Sequence, residues 1–449
     1  MTLDLRQAKD VLNFVDIKRG TVDRRIFYDP DIYQMEMEQI FARAWIFMAH
    51  ESQIPNPGDF FLNFMGEDRV IVVRDNEGTV QVMVNSCRHR GNAICRADEG
   101  HATSFMCTYH GWTFDLQGKL VGVPGFKEVY HEELDRDNWG LIKAAQVDNY
   151  RGFIFATMDA EAPPLYEYLA DGGRFGLDML AEQGDMKVVG GVEKYQMKAN
   201  WKFPTDNTAD FYHGLTHTSA HMVTQNSPNW YGNNRFGKRT TGDNGKKQPG
   251  AAILSEYGHI AGMGFVPDGW LEENRDNPTE QWRFNEETKH KVGRIGTSAT
   301  SCMTNIFPNV FVPMSARQLA IRMPKGPTQS EIWYFTFTDR NASEEIQKRQ
   351  RFMSAHQFGA SGLWEQDDGE NWDQSTRGVR GVVSSRYPLN YAMGLGHGEF
   401  IDEEGVPLYI DGLRSEHYQL WQYRAWAELM AADSWADWKA NHSRPGETV

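Results

Sequence analysis

The chain has 449 residues and a formal net charge of −15 at pH 7, with 24% charged and 12% aromatic residues. That length allows two or three domains with substantial cores, and the acidic balance argues against a general nucleic-acid binder, which needs clustered Lys and Arg. No stretch approaches the roughly 18 apolar residues of a membrane span, and the start, MTLDLRQAKDVLNF, lacks the basic and apolar regions of a signal peptide, so a cytoplasmic location is expected.

Residues 1–45 read as a lead-in segment that packs on a later domain. Within it Asp31 to Trp45 is predicted helical, with Ile32, Met35, Ile40 and Phe41 as a rough apolar stripe. From residue 46 to about 160 the texture changes to short β-branched and aromatic runs broken by turns, which predicts a small antiparallel domain. Arg69 to Arg74, the turn Asp75 to Gly78, and Thr79 to Val84 form a hairpin leading directly into Cys87. Thr113 to Gly122 forms a second, turning near Gly118. The domain closes after Gly152 to Thr157, and Glu161-Ala-Pro-Pro-Leu165 is a linker.

Residues 161–449 form a larger domain. Val188 to Lys198, Gln318 to Met323 and Glu331 to Thr338 are predicted strands. Asn207 to Met222, Glu344 to Phe358 and Ser415 to Lys439 are predicted helices, the second with Asn341 as its cap. Strands and helices do not alternate regularly, so the expected class is α+β, an antiparallel sheet covered by helices in a helix-grip-like manner. Asn, Gly and charged residues dominate from Thr224 to Lys247, which predicts a mobile loop over a site.

The most specific chemical signal is Cys87-Arg-His89 followed by Cys107-Thr-Tyr-His110. Two thiolates and two imidazoles could hold a structural zinc tetrahedrally. They could also hold a Rieske 2Fe-2S cluster, in which two Cys bind one iron and two His the other. Zinc fingers group a Cys pair and then a His pair, whereas each loop here carries one of each, which suits a cluster gripped from two sides. Gly111 sits where backbone must approach a cluster, and Trp112 and Phe114 are available to shield it. Cys95 and Cys302 read as ordinary core thiols, too few for a disulfide framework.

A second constellation follows at Asp210, His213 and His217, which on a helix would share one face. A carboxylate from the acidic run Glu365 to Glu370 could complete two His and one carboxylate, the facial triad of non-haem Fe(II) oxygenases. The bland alternative is a surface His pair and a solvated acidic loop. In that case the protein is an electron carrier only.

With these residues the chain resembles the large, catalytic subunit of the Rieske non-haem iron aromatic-ring-hydroxylating dioxygenases, the family of naphthalene and biphenyl dioxygenases, from the N-terminal helix to the last helix. The resemblance implies that Cys87 and Cys107 hold one cluster iron, and His89 and His110 the other. It implies His213, His217 and Asp368 as ligands of one mononuclear Fe(II), with Asp367 the competing carboxylate. The family spaces its two His by four or five residues, here three, and His221 is the next histidine. Asp210 matches a bridging carboxylate that contacts His213 and reaches His110 of a neighbouring copy, so a homotrimer, alone or with a small β subunit, is implied. Asp210 and Asn207 are the implied catalytic residues beside the iron. Thr208, Phe211, Gly214, Phe358 and Trp364 are implied to line the substrate pocket. Electrons would come from NAD(P)H through a reductase, with or without a ferredoxin, and O2 would enter an aromatic ring as a cis-dihydrodiol. No Arg or Lys is placed beside the iron by sequence, which favours a neutral aromatic or polycyclic hydrocarbon over an aromatic carboxylate. A ring monooxygenase or demethylase is the further alternative.

Overall fold

The computed structural model describes residues 10–214, 216–220 and 249–448. It divides into two compact units, residues 41–165 and residues 1–40 with 166–449. Just before the first unit lies α1 (Pro30–Glu36), capped by the Asp29 side chain and continued by a single π-helical turn to Phe41. The helix therefore stops short of the predicted Trp45, although Ile32, Met35, Ile40 and Phe41 are all buried.

Unit 41–165 is built from small antiparallel sheets. β1 (Ile46–His50) pairs with β10 (Phe153–Thr157), which pairs with β9 (Gln146–Tyr150). A second sheet has the order β4-β3-β2-β5, from β2 (Asp59–Met65), β3 (Asp68–Arg74), β4 (Val80–Val84) and β5 (Glu99–His101). The third has the order β8-β7-β6, from β6 (Phe105–Met106), β7 (Thr113–Phe114) and β8 (Leu120–Gly122). Both predicted hairpins are present. In the β3–β4 turn Asp75 Oδ1 accepts from the Glu77 and Thr79 amides, and Gly78 takes the left-handed conformation at φ +86°. Leu62, Ile71, Val73, Trp112 and Phe114 form one buried cluster with Cys87 and Cys107. The core thus grips both loops that carry thiols.

The other unit is organised on a ten-stranded antiparallel sheet. Its strands are β11 (Met186–Val188), β12 (Glu193–Met197), β13 (Gly250–Leu254), β14 (Ile260–Phe265), β15 (Ala299–Ile306), β16 (Val310–Pro313), β17 (Gln318–Pro324), β18 (Ser330–Asp339), β19 (Phe400–Ile401) and β20 (Tyr409–Asp411). The order is β11-β18-β17-β16-β15-β14-β13-β20-β19, with β12 on the same edge of β18 as β11. The predicted strand Val188 to Lys198 is thus two strands broken at Gly190 and Gly191.

Period-two alternation covers both faces of this sheet. Ala251, Ile253, Ala261 and Met263 cluster with Phe175 and Met179 of α2 (Ala170–Ala181) and Val292 and Ile295 of α4 (Glu286–Thr297). Ala252, Leu254 and Ile260 face the other way, onto Tyr418 and Trp421 of α7 (His417–Ala431). The last helix, α8 (Trp435–Asn441), is separate from α7, so the predicted single helix breaks before Ser434, which caps α8. In sequence α5 (Glu344–Gln357) and α6 (Leu363–Gly378) lie between β18 and β19, and α3 (Lys202–Asp206) lies between β12 and β13. The cap of α5 is Ser343, whose hydroxyl accepts from the Ile346 amide, rather than Asn341.

Of the helix predicted over 207–222, described residues 210–214, 216 and 217 are not helical, residues 218–220 are, and 215, 221 and 222 lie outside the described residues. α3 tightens into a 3-10 turn at Asn207–Ala209 and ends at Asp210, whose Oδ1 accepts from the Tyr212 amide. A short polar side chain that bonds its own backbone competes with the helical hydrogen bond, so His213 and His217 stand on turns. The expected mobile loop and His221 lie outside the described residues.

Candidate metal centres

The two Cys/His loops have the same hydrogen-bond pattern. Cys87 N–H donates to Asn92 O at 2.9 Å, and Gly91 N–H to Cys87 O at 2.8 Å. In the second loop Cys107 N–H donates to Trp112 O at 2.8 Å, and Gly111 N–H to Cys107 O at 2.9 Å. Both glycines sit at φ +73°, the left-handed conformation that closes each loop. The result brings His89 Nδ1 and His110 Nδ1 within 3.1 Å, while Cys87 and Cys107 lie buried behind them. Trp112 stacks on His89 at 5.0 Å and Tyr109 on His110 at 3.8 Å.

Burial raises the Cys87 thiol, and the neighbouring Cys107 adds to this. Cys107 is also buried, but the Tyr109 amide and the Asn92 side-chain amide, 3.6 Å from its sulfur, hold it below the usual thiol value. Burial and the facing His110 ring lower the His89 imidazole below its usual value. Two thiols and two imidazoles, presented as pairs from two matching loops, fit the donor set of a Rieske cluster.

In the larger unit, ligand atoms of His213, His217 and Asp368 all lie within 4.8 Å of one another. His213 Nε2 is 3.1 Å from His217 Nε2 and 3.4 Å from Asp368 Oδ1, and His217 Nε2 is 3.3 Å from the same oxygen. Each ring has a carboxylate on its far nitrogen. Asp210 Oδ2 is 3.3 Å from His213 Nδ1, and Asp367 Oδ2 is 3.4 Å from His217 Nδ1. Such carboxylates fix ring orientation and raise ligand basicity. Asp367, weighed above as a competing ligand, thus backs His217 while Asp368 points inward.

Helix α6 explains that division, since adjacent residues on a helix point about 100° apart. Burial raises the Asp368 carboxyl to about 7, against a hydrogen bond from the Asn207 side chain. Burial disfavours a charged His213, but Asp210 and Asp368 outweigh it and hold the ring at about 9. Two imidazoles and one carboxylate converging on a point, with faces left open, fit a facial triad for Fe(II).

A cavity opens on this triad and is lined by Asn207, Thr208, Phe211, Gly214, Phe358 and Trp364. Glu365, of the acidic run, and Met303, Phe311, Arg322 and Trp372, which were not singled out from the sequence, complete its wall. The sequence placed no Arg or Lys beside the site, whereas the structure puts Arg322 there, 1% exposed. Its signal was a lone charged residue in the apolar run Leu319-Ala-Ile-Arg-Met323.

A model of the ring-hydroxylating alpha subunit catalytic domain matches residues 185–418, and a Rieske [2Fe-2S] domain model matches residues 44–137. The first spans more than half of the chain. The chain belongs to the ring-hydroxylating alpha-subunit family. Biphenyl 2,3-dioxygenase subunit alpha of Rhodococcus jostii is 34% identical over 98% of this chain and 95% of its own length. Benzene 1,2-dioxygenase subunit alpha of Pseudomonas putida is 32% identical over 97% of this chain and 96% of its own.

Among solved structures, naphthalene 1,2-dioxygenase with indole bound in its active site superposes with a TM-score of 0.86 at 27% identity, over 97% of this chain and 98% of that one. This ring-hydroxylating alpha subunit is therefore an oxidoreductase, the large subunit of a terminal aromatic-ring dioxygenase. Family membership implies a Rieske cluster and a mononuclear iron. It also implies partner components that deliver electrons. No helix among the described residues is long and apolar enough to cross a membrane.

Proposed function

We propose that the protein cis-dihydroxylates a neutral aromatic hydrocarbon, with Cys87, His89, Cys107 and His110 holding the cluster and His213, His217 and Asp368 holding the iron. The observation that carries this reading is the convergence of the triad at one end of a cavity walled by Phe211, Phe311, Phe358 and Trp364. When bound, the cluster supplies electrons one at a time and the iron offers open positions for O2 and substrate.

The chain's own residues do the rest. Asp210 and Asp367 orient the two imidazoles, and the Asn207 amide holds Asp368. The aromatic wall excludes water and lays a flat ring beside the metal. Asp210 keeps about a third of its side chain exposed, at 31%, which supports its reading as the contact through which His110 of a neighbouring copy passes electrons. A homotrimer, a β subunit, and a reductase with or without a ferredoxin drawing on NAD(P)H complete the proposal, in the cytoplasm.

The first test is iron and acid-labile sulfide per chain on anaerobically purified protein, beside His213→Ala. About three irons and two sulfides are expected, falling to two irons in the variant with the cluster spectrum unchanged. Two irons in both proteins would sink the triad assignment. Product analysis under labelled O2 then separates insertion of both atoms from a one-atom hydroxylation.

A further inference from the structure

The wall of the cavity holds one feature that a site for a plain hydrocarbon does not need. Arg322 is buried within it, its Nη1–H donates to Thr208 Oγ1 at 2.9 Å, and its Nε has no hydrogen-bond partner. The guanidinium lies 4.3 Å from the centre of the Phe311 ring, so its plane is held by packing rather than by an ion pair. Glu365 is the nearest candidate counter-ion, yet its two oxygens accept from the hydroxyls of Tyr195 and Tyr334. Arg322 therefore keeps donors that no described side chain accepts. Because Thr208 Oγ1 accepts from Arg322, its own hydroxyl hydrogen must point elsewhere, and no acceptor for it is found among the described residues. A buried donor left unmatched carries a desolvation penalty that a correctly placed acceptor removes.

We infer that Arg322 and Thr208 form a polar subsite that selects, among neutral aromatic rings, those carrying a hydrogen-bond-accepting oxygen such as a ring ketone. This deepens the reading above and rests on it. A neutral acceptor is favoured over a carboxylate because Glu365 and Asp368 already oppose the charge of Arg322 through the low-dielectric interior. A pocket built around donors rejects the analogue that lacks the acceptor far more strongly than an apolar pocket distinguishes two shapes.

Indane and 1-indanone have nearly the same outline and differ by one carbonyl. On the iron-loaded holoenzyme under anaerobic conditions, 1-indanone is expected to bind about tenfold to a hundredfold more tightly than indane, with indane-1-carboxylate weaker than the ketone. In Arg322→Met the preference should fall to within about twofold, and in Thr208→Val it should be intermediate. The second variant serves if the first does not fold. A merely structural Arg322 would leave the ratio between the two probes unchanged whatever its effect on stability. Equal binding of the two by the wild type, retention of the preference in Arg322→Met, or tighter binding of the carboxylate each overturns the subsite. In those cases continued oxygenation of indane keeps the hydrocarbon reading intact. If iron-loaded protein neither binds nor oxidises any of the three, the function reading fails and the subsite falls with it.

Discussion

Asn92 donates its side-chain amide to the sulfur of Cys107, the proposed cluster ligand, and a hydrogen bond to such a thiolate stabilises the more negative, reduced form. Asn92→Leu is expected to lower the midpoint potential by about 59 mV, tenfold in the one-electron equilibrium, in a redox titration followed by electron paramagnetic resonance. Asp367→Ala should weaken iron binding about tenfold to a hundredfold in a chelator competition, with the cluster spectrum untouched. The triad also predicts a pH dependence. His213, raised to about 9, and Asp368, raised to about 7, each hold a proton in the metal-free site below those values, and a cation must displace it. Iron affinity should therefore rise with pH, about tenfold per unit between 7 and 9 and more steeply below 7. Calorimetry in buffers of different ionisation enthalpy would count the released protons, and a flat profile would refute the assignment of those groups. At this scale the candidate ligands, which the structure brings together as two groups, were legible in the sequence because few residue types bind metals and their spacing is tight. Arg322 was not, because its position beside Thr208 depends on where β17 meets a turn more than a hundred residues earlier.

The two ligand loops share one hydrogen-bond scheme, so a glycine at the same point closes each. A Cβ on Gly111 would stand 2.9 Å from Pro124 Cγ and require a φ of +73°. Gly78 has a φ of +86° with nothing within 4 Å of such a Cβ. Gly111→Ala is expected to lose cluster occupancy and to destabilise unit 41–165 by about 2 kcal/mol or more, against about 1 kcal/mol for Gly78→Ala. Cluster absorbance and thermal unfolding on the same samples distinguish the two effects. Hairpins were legible because turn chemistry and period-two patterns are local. The helix expected through His213 failed for a reason also written locally, in Asp210. A carboxylate at that point satisfies the Tyr212 amide and ends α3, and helical spacing of the ligands outweighed this in the reading of the sequence. With three residues between the histidines, their Nε2 atoms still come within 3.1 Å of each other.

Across the whole chain, the N-terminal helix belongs with the unit that begins at residue 166. Its anchor is Glu36, fully buried, which accepts from Trp201 Nε1 at 2.9 Å, Lys202 Nζ at 2.5 Å and Trp426 Nε1 at 2.8 Å. Removing one member of a buried pair leaves the other charge uncompensated. Glu36→Ala should cost about 3–5 kcal/mol, read as a lower Tm, with Glu36→Gln recovering part of the loss because its amide oxygen can still accept from an indole. The sequence suggested that the lead-in segment packs on the larger domain but not that Glu36 anchors it, because a glutamate among helical neighbours gives no hint of partners far along the chain. The ribosome meets the same problem in time. Trp426 emerges 390 residues after Glu36, roughly 20 to 80 seconds later at about 5 to 20 residues per second. Residues 41–165 are complete well before that. The nascent chain thus has an interval in which one unit can fold and receive its cluster while α1, already synthesised, still waits for the helix that will cover Glu36.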